Sequence, residues 1–243
     1  MGSFTSKLKY STVKLDEMKY QAVIFDLFGT LIKNYPLAES HAVLRRMAME
    51  LSIPAESFIE KWDEAFPDRM TGALRNFQHC IESICKKMGV PVTDETIELA
   101  ANIRLQLNIY ETAPRNEALE VLSNLKKSGL KTGLLSDCSS ETVQLWKDFP
   151  IAPLIDSPVF SCVEGTKKPD PRLYRKAAEN LGVSPEKCIY VGDGIGQELH
   201  GAAGTGMFAV QILVPGEDDY DRYRGDWNGP VIASLKEVLN LVE

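Results

Sequence analysis

The sequence of 243 residues is long enough for one large domain or for a core with a smaller companion, and 44% of its residues are hydrophobic. With 25% charged residues, this composition excludes disorder as the dominant state. A net charge of −7 argues against a nucleic-acid binder, which needs a basic face. No apolar run approaches the roughly 20 residues of a membrane span.

The first 18 residues contain three lysines but lack the apolar segment of a signal peptide, so we expect residues 1–18 to form an N-terminal extension. The five cysteines form no CxxC pair and no zinc-ligand spacing. A reduced, cytoplasmic setting is therefore the expectation.

The first predicted strand ends at a carboxylate. Val23, Ile24 and Phe25 form a short β-branched and aromatic run that predicts a strand buried on both faces. Gly29 allows a tight turn, which leaves Asp26 at the carboxyl end of the strand, where open parallel sheets bind their ligands. An Asp before a Gly is also ordinary turn chemistry, and this motif alone leaves both interpretations open.

Residues 36–111 are helical in pattern. Leu44, Met47, Ala48 and Leu51 recur at helical spacing, and similar patterns follow up to Tyr110 without a convincing strand. A connection of this length has structure of its own. We therefore predict a small all-helical domain at 36–111, inserted into a core built from residues 19–35 and 112–243.

From Pro114 onward, predicted helices and strands alternate. The first of these helices lies between Pro114 and Gly129. The later strands are predicted at Leu130–Ser136, Val159–Cys162, Cys188–Val191 and Phe208–Leu213, with helices from Ser139 or Ser140 through Trp146, around Leu173–Leu181, after Gly194 and from about Ala233. This order predicts an α/β fold, a Rossmann-like parallel sheet flanked by helices with right-handed crossovers.

Four polar residues fall at or after the carboxyl ends of predicted strands: Asp26, Ser136, Lys168 and Asp193. Because these ends share one edge of a parallel sheet, the four side chains are expected to converge. Their groups suit an anionic substrate held with a cation. Glu198, one helical turn further on, is either a fifth member or an exposed carboxylate near a helix N-terminus.

Charge repulsion favours a metal ion at such a site. Two carboxylates about 4 Å apart repel by roughly 4 kcal/mol at an effective dielectric of about 20. A divalent cation removes this repulsion, and oxygen ligands without His or Cys favour Mg²⁺ over zinc.

Together these motifs resemble those of the haloacid dehalogenase-like (HAD) hydrolase superfamily. The resemblance covers residues 20 to about 213 and rests on four ordered motifs: Phe25–Leu31, Ser136, Lys168–Pro171 and Gly192–Glu198. The helical insertion stands where that family has a helical cap.

The resemblance implies a role for each motif residue. Asp26 is expected to be a nucleophile that forms a covalent aspartyl intermediate, while Ser136 and Lys168 hold the transferring group. Asp26, Asp193 and the backbone carbonyl of Phe28 are expected to hold Mg²⁺. Glu198 stands in the place of an acid that supports the metal or orients Lys168.

Substrate contacts are predicted on both parts of the chain. Gly29, Thr30 and Asp137 are the candidates in the core, and Arg69 and Arg75, with His41, are the candidates in the insertion. Charged residues on an amphipathic helix are more often its solvated face, so that interpretation stands beside the functional one for all three insertion residues.

One position departs from the family pattern. Family phosphatases generally carry an Asp two positions after the nucleophile, where it protonates the leaving oxygen, and this chain has Phe28 there. General acid catalysis typically contributes about 10²- to 10⁴-fold. Either Asp137 or His41 replaces the acid, or the leaving group needs no proton, as with an acyl phosphate, a phosphonate carbon or a halide.

We therefore predict a Mg²⁺-dependent phosphatase of a small phosphorylated metabolite, without nucleic-acid or membrane partners. Two alternatives remain open at this point. The first is a metal-independent 2-haloacid dehalogenase or a phosphonate-cleaving hydrolase, because such dehalogenases also carry an aromatic residue at the position of Phe28. The second is a catalytically weak scaffold used for binding.

Overall fold

The computed structural model describes residues 19–110, 113–217 and 219–242. The predicted N-terminal extension lies outside these residues. The strands of the core are β1 (Ala22–Phe25), β2 (Lys131–Ser136), β3 (Ser157–Phe160), β4 (Cys188–Gly192), β5 (Phe208–Ile212) and β6 (Val231–Ile232). These six parallel strands form one sheet in the order β3-β2-β1-β4-β5-β6.

Helices cover both faces of this sheet, which confirms the predicted α/β class. All four residues of β1 are buried because alternate side chains pack on opposite sides. Val23 and Phe25 join the cluster under helix α6 (Ala118–Lys127), whereas Ala22 and Ile24 join the cluster under α9 (Pro171–Leu181) and α10 (Glu198–Gly204). The helices of this part are α6 (Ala118–Lys127), α7 (Ser140–Leu145), α8 (Ser161–Glu164), α9 (Pro171–Leu181) and α10 (Glu198–Gly204).

Between β1 and α6 the described residues form five helices that we call the helical insertion. They are α1 (Leu37–Glu50), α2 (Ala55–Glu64), α3 (Phe66–Met70), α4 (Phe77–Lys87) and α5 (Asp94–Tyr110). These helices bury an apolar cluster of their own, whose members all lie between Leu44 and Ala101. No helix among the described residues has the length and apolar character that crossing a membrane requires.

Two predicted elements differ from the structure, and one strand of the structure was not predicted. The strand expected at Val159–Cys162 ends at Phe160, where its partner β2 also ends, and Ser161 begins α8. The helix expected from Ala233 is a 3₁₀ helix at Leu235–Leu241, and its buried residues Leu235 and Val238 are three positions apart, as the tighter helix requires. Strand β6 was not predicted, because two residues are too few to show a pattern.

Candidate active site

The carboxyl edge of the sheet gathers the charged residues that the motifs predicted. Asp26 follows the central strand β1, and its backbone N–H donates to the Val191 carbonyl of β4 at 2.9 Å. Asp193 follows β4, while Lys168 lies in the loop before α9. The order of the strands reverses beside β1, which is where open α/β sheets bind ligands.

Lys168 joins two of the carboxylates. Its Nζ donates to Asp26 Oδ1 at 2.6 Å and to Glu198 Oε2 at 2.6 Å. The Lys168 side chain is only 6% exposed, so both contacts are charge-assisted bonds in a poorly solvated place. The lysine thereby sets the position of the predicted nucleophile.

Glu198 uses both of its oxygens inside the protein. Besides Lys168, its Oε2 accepts a bond from the Tyr190 hydroxyl at 2.6 Å, and its Oε1 accepts one from the Gly194 N–H at 2.9 Å. The Tyr190 hydroxyl in turn lies 3.3 Å from Lys168 Nζ. Glu198 was expected either to support the metal or to orient Lys168, and its bond to Lys168 fits the second role.

Asp26, Asp193 and Glu198 form an acidic cluster whose carboxylate oxygens come within 4.8 Å of one another. Burial raises the pKa of Asp26 well above its ordinary value, although Lys168 opposes the rise. Burial, and then the Glu198 carboxylate, raise the pKa of Asp193 to about 6. The positive charge of one lysine therefore does not offset the negative charge of this cluster. The carboxylate oxygens of the cluster are hard donors, which fit Mg²⁺.

Asp193 is fixed from two further sides. Asn34, in the loop before α1, donates from Nδ2 to Asp193 Oδ2 at 3.0 Å. Gly29 has a φ of +83°, and a Cβ at this position would overlap the same oxygen. Gly29 therefore leaves room for the carboxylate, and Asn34 is a site residue that the sequence patterns did not indicate.

The loop after Asp26 is held by Arg115, which sequence reasoning also missed. Its guanidinium donates to the Thr30 carbonyl at 2.7 Å and to the Gly29 carbonyl at 2.9 Å. The same group forms a bidentate ion pair with Glu217 at 2.7 and 2.6 Å. In the sequence, Pro114 indicated that a helix starts near Arg115. Nothing in the sequence indicated that Arg115 contacts the loop after Asp26.

Two hydroxyls near the site are buried without a hydrogen-bond partner of normal geometry among the described residues, Ser136 Oγ and Thr30 Oγ1. Next to Ser136, Asp137 accepts a bond from the Lys168 backbone N–H through Oδ1 at 3.0 Å. Burial raises the pKa of Asp137, while Lys168 acts to lower it. Ser136 ends β2 and Asp137 follows it, whereas Thr30 lies in the loop after Asp26, so these groups belong to the core side of the site.

A cavity of about 210 Å³ opens between the core and the helical insertion. Phe28, Asn34 and Asp137 line it from the core side, and Arg69 lines it from α3. Arg75 is exposed and lines a different cavity with Ser140 and Cys162, and His41 does not line the first one either. The structure thus brings Arg69 to the site cavity but not Arg75 or His41.

Hydrogen bonds also join the insertion to the core. Glu141 of α7 accepts a bond from the Phe77 N–H, at the start of α4, at 2.5 Å. Ser161 donates from Oγ to the Met70 carbonyl at 2.6 Å and accepts from the Cys138 N–H at 3.0 Å. The wall of the cavity is therefore anchored to the loop that follows Ser136.

The fold and the site together define a Rossmann-like α/β protein in which a buried carboxylate is paired with a lysine beside an acidic cluster. The family model of the haloacid dehalogenase-like hydrolases matches residues 20–206, and the chain belongs to this family. The resemblance found in the motifs is thereby confirmed, and with it the assignment to the hydrolases.

Known phosphatases and dehalogenases resemble this chain. A glyceraldehyde 3-phosphate phosphatase of Pyrococcus furiosus is 25% identical over 233 residues, which cover 93% of this chain and 94% of the relative. The structure of a HAD phosphatase from Thermococcus onnurineus has a TM-score of 0.64 at 20% identity, covering 91% and 97% of the two chains. A dehalogenase with an intermediate complex has a TM-score of 0.60 at 22% identity, covering 93% and 98%.

Proposed function

We propose that this protein is a Mg²⁺-dependent phosphatase of a small phosphorylated metabolite, acting through an aspartyl-phosphate on Asp26. The observation that carries the proposal is the bond from Lys168 to Asp26 beside the acidic cluster. A carboxylate is a recognised covalent nucleophile for phosphoryl groups, and a lysine there offsets the negative charge of the transferred oxygens. The curated relative named above is a phosphatase and matches almost the whole chain.

In the proposed reaction, a carboxylate oxygen of Asp26 attacks phosphorus, and the bond from phosphorus to the leaving oxygen breaks. The leaving oxygen keeps the electron pair and takes a proton from water or from Asp137. Water then attacks the aspartyl-phosphate, which releases phosphate, passes a proton to solvent and regenerates Asp26. Lys168 and Ser136 hold the phosphoryl oxygens throughout, and Glu198 and Tyr190 keep Lys168 in place.

The residues that would hold Mg²⁺ are Asp26, Asp193 and the carbonyl of Phe28, with Glu198 at the edge of the cluster. When bound, the metal supplies positive charge that stabilises the transferring group.

Gly29 and Thr30 would contact the phosphoryl group from the nucleophile loop, and Arg69 would contact the rest of the substrate. Arg75 stays a predicted substrate contact without support from its position. Closure of the helical insertion as a cap would exclude water.

The second candidate is a metal-independent dehalogenase, which Phe28 favours because a halide leaves without a proton. Purified protein should be stripped with EDTA and assayed with p-nitrophenyl phosphate and 2-chloropropionate, with and without Mg²⁺. We expect phosphate release that requires Mg²⁺ and is absent in Asp26→Asn. Halide release that persists in EDTA would overturn the proposal in favour of the dehalogenase.

A further inference from the structure

The site cavity has aromatic walls. Six aromatic side chains from the core and the helical insertion line it: Phe28, Tyr35, Trp62, Phe66, Phe77 and Tyr220. One end of the cavity reaches the acidic cluster, because Asn34, which also lines it, bonds to Asp193. A ligand in this cavity is therefore bounded by ring faces and edges, which favour a planar group.

Arg69 places a buried cation in the same cavity. The residue is 7% exposed, and its guanidinium lies 4.4 Å from the centre of the Trp62 ring and 5.9 Å from that of Phe66. It donates to the Trp62 carbonyl but forms no ion pair with a carboxylate in the part of the chain that the structure describes. A buried charge without a counter-ion is costly, so this cation is complementary to an anionic ligand group.

We propose that the cavity binds a planar leaving group that carries a carboxylate, with its ring against Trp62 and Phe66 and its carboxylate on Arg69. The substrate is then a phosphate ester with one anion at each end, the phosphate at Asp26 and the carboxylate at Arg69. This inference rests on the proposed function, since it names the class of ester that the phosphatase accepts.

Binding of leaving-group analogues tests the proposal without any reaction. The probes are 4-hydroxyphenylacetate, its neutral amide and the saturated 4-hydroxycyclohexylacetate, titrated calorimetrically into the full chain with Mg²⁺. We expect the aromatic acid to bind about tenfold or more tightly than the amide, because a bond to a charged group is lost. We expect it also to bind more tightly than the cyclohexyl acid. Equal affinities of the aromatic acid and the amide would overturn the proposal.

Variants assign the effect to one residue. Arg69→Gln should abolish the preference for the acid over the amide, and Arg46→Gln is the matched control because Arg46 is exposed on α1 and does not line the site cavity. Persistence of the preference in Arg69→Gln would contradict the assignment. Should that variant fail to fold in a thermal melt, the comparison of the three probes on the unaltered protein still decides the proposal.

Turnover separates this inference from the proposed function. The substrates are 4-(carboxymethyl)phenyl phosphate and its amide, whose methylene group keeps the two phenols similar in acidity. We expect phosphate release from both, with kcat/KM about tenfold or more higher for the acid. Release at equal kcat/KM overturns the inference and leaves the phosphatase in place. No release from either, with the binding preference intact, overturns the phosphatase and leaves the binding site.

Discussion

Lys168 Nζ lies 2.6 Å from Asp26 Oδ1, although the two residues are 142 positions apart in the chain. The same nitrogen bonds to Glu198, so one cation is shared by two buried carboxylates. Its neighbour Lys167 instead reaches the Lys168 backbone carbonyl at 3.4 Å. The geometry therefore distinguishes Lys168 from the lysine beside it.

Lys168→Met should lower kcat by about 10²- to 10³-fold, the typical loss when a group that stabilises transition-state charge is removed. Steady-state assays with p-nitrophenyl phosphate and Mg²⁺ measure this change. Lys167→Met is the matched control and should keep most of the activity. Equal losses in the two variants would contradict the assignment of Lys168.

Metal-free protein should lose stability as the pH rises from about 4 to about 6. The pKa of Asp193 is about 6 in the folded protein and 3.8 when unperturbed, so the unfolded state loses its proton first. A raised pKa of an acid does not change the free energy of unfolding below pH 3.8, where the group is protonated in both states. Above pH 6 it lowers the free energy of unfolding by about 3 kcal/mol.

Thermal unfolding in EDTA across this pH range measures the effect, with Asp193→Asn as the comparison. The melting temperature of the unaltered protein should fall relative to the variant as the pH rises. Added Mg²⁺ should stabilise the unaltered protein more at pH 7 than at pH 4, because protons compete with the metal for carboxylates. Parallel pH profiles of the two proteins in EDTA would refute this account.

Two of the residues that the sequence indicated have a fixed place relative to a strand. Asp26 and Asp193 directly follow short, fully buried strands, so pattern and turn chemistry located them. Arg115 and Asn34 have no such marker. Arg115 bonds to Thr30 from 85 positions away, and Asn34 bonds to Asp193 from 159 positions away.

Contacts of this kind depend on tertiary packing, which no local pattern encodes. The same holds for Arg69, because only the packing of α3 against the core decides whether its side chain faces solvent or the cavity. The separate core of the helical insertion, in contrast, could be predicted, since its apolar residues repeat at helical spacing.

Arg115→Met should destabilise the protein by about 2–4 kcal/mol, since it leaves two carbonyls and the Glu217 carboxylate without their donor. Chemical denaturation measures the free energy of unfolding. Arg45→Met removes an ion pair in which both side chains are exposed, and it should cost less than about 1 kcal/mol. Similar costs for the two variants would show that Arg115 does not brace the nucleophile loop.

Phe28→Asp should raise turnover of an alkyl phosphate relative to p-nitrophenyl phosphate by about 10²- to 10⁴-fold. The reason is that an alkoxide must be protonated as it leaves, whereas nitrophenolate need not be, and a phenyl ring donates no proton. Phe28 lines the cavity that receives the leaving group, so a carboxylic acid there would face the departing oxygen. The measurement is the ratio of kcat/KM for the two substrates, with Phe28→Asn as the control that matches Asp in size but has no acidic proton.

Asp137 lines the same cavity, and a selective loss of alkyl turnover in Asp137→Asn, together with no gain in Phe28→Asp, would show that the chain already has its acid.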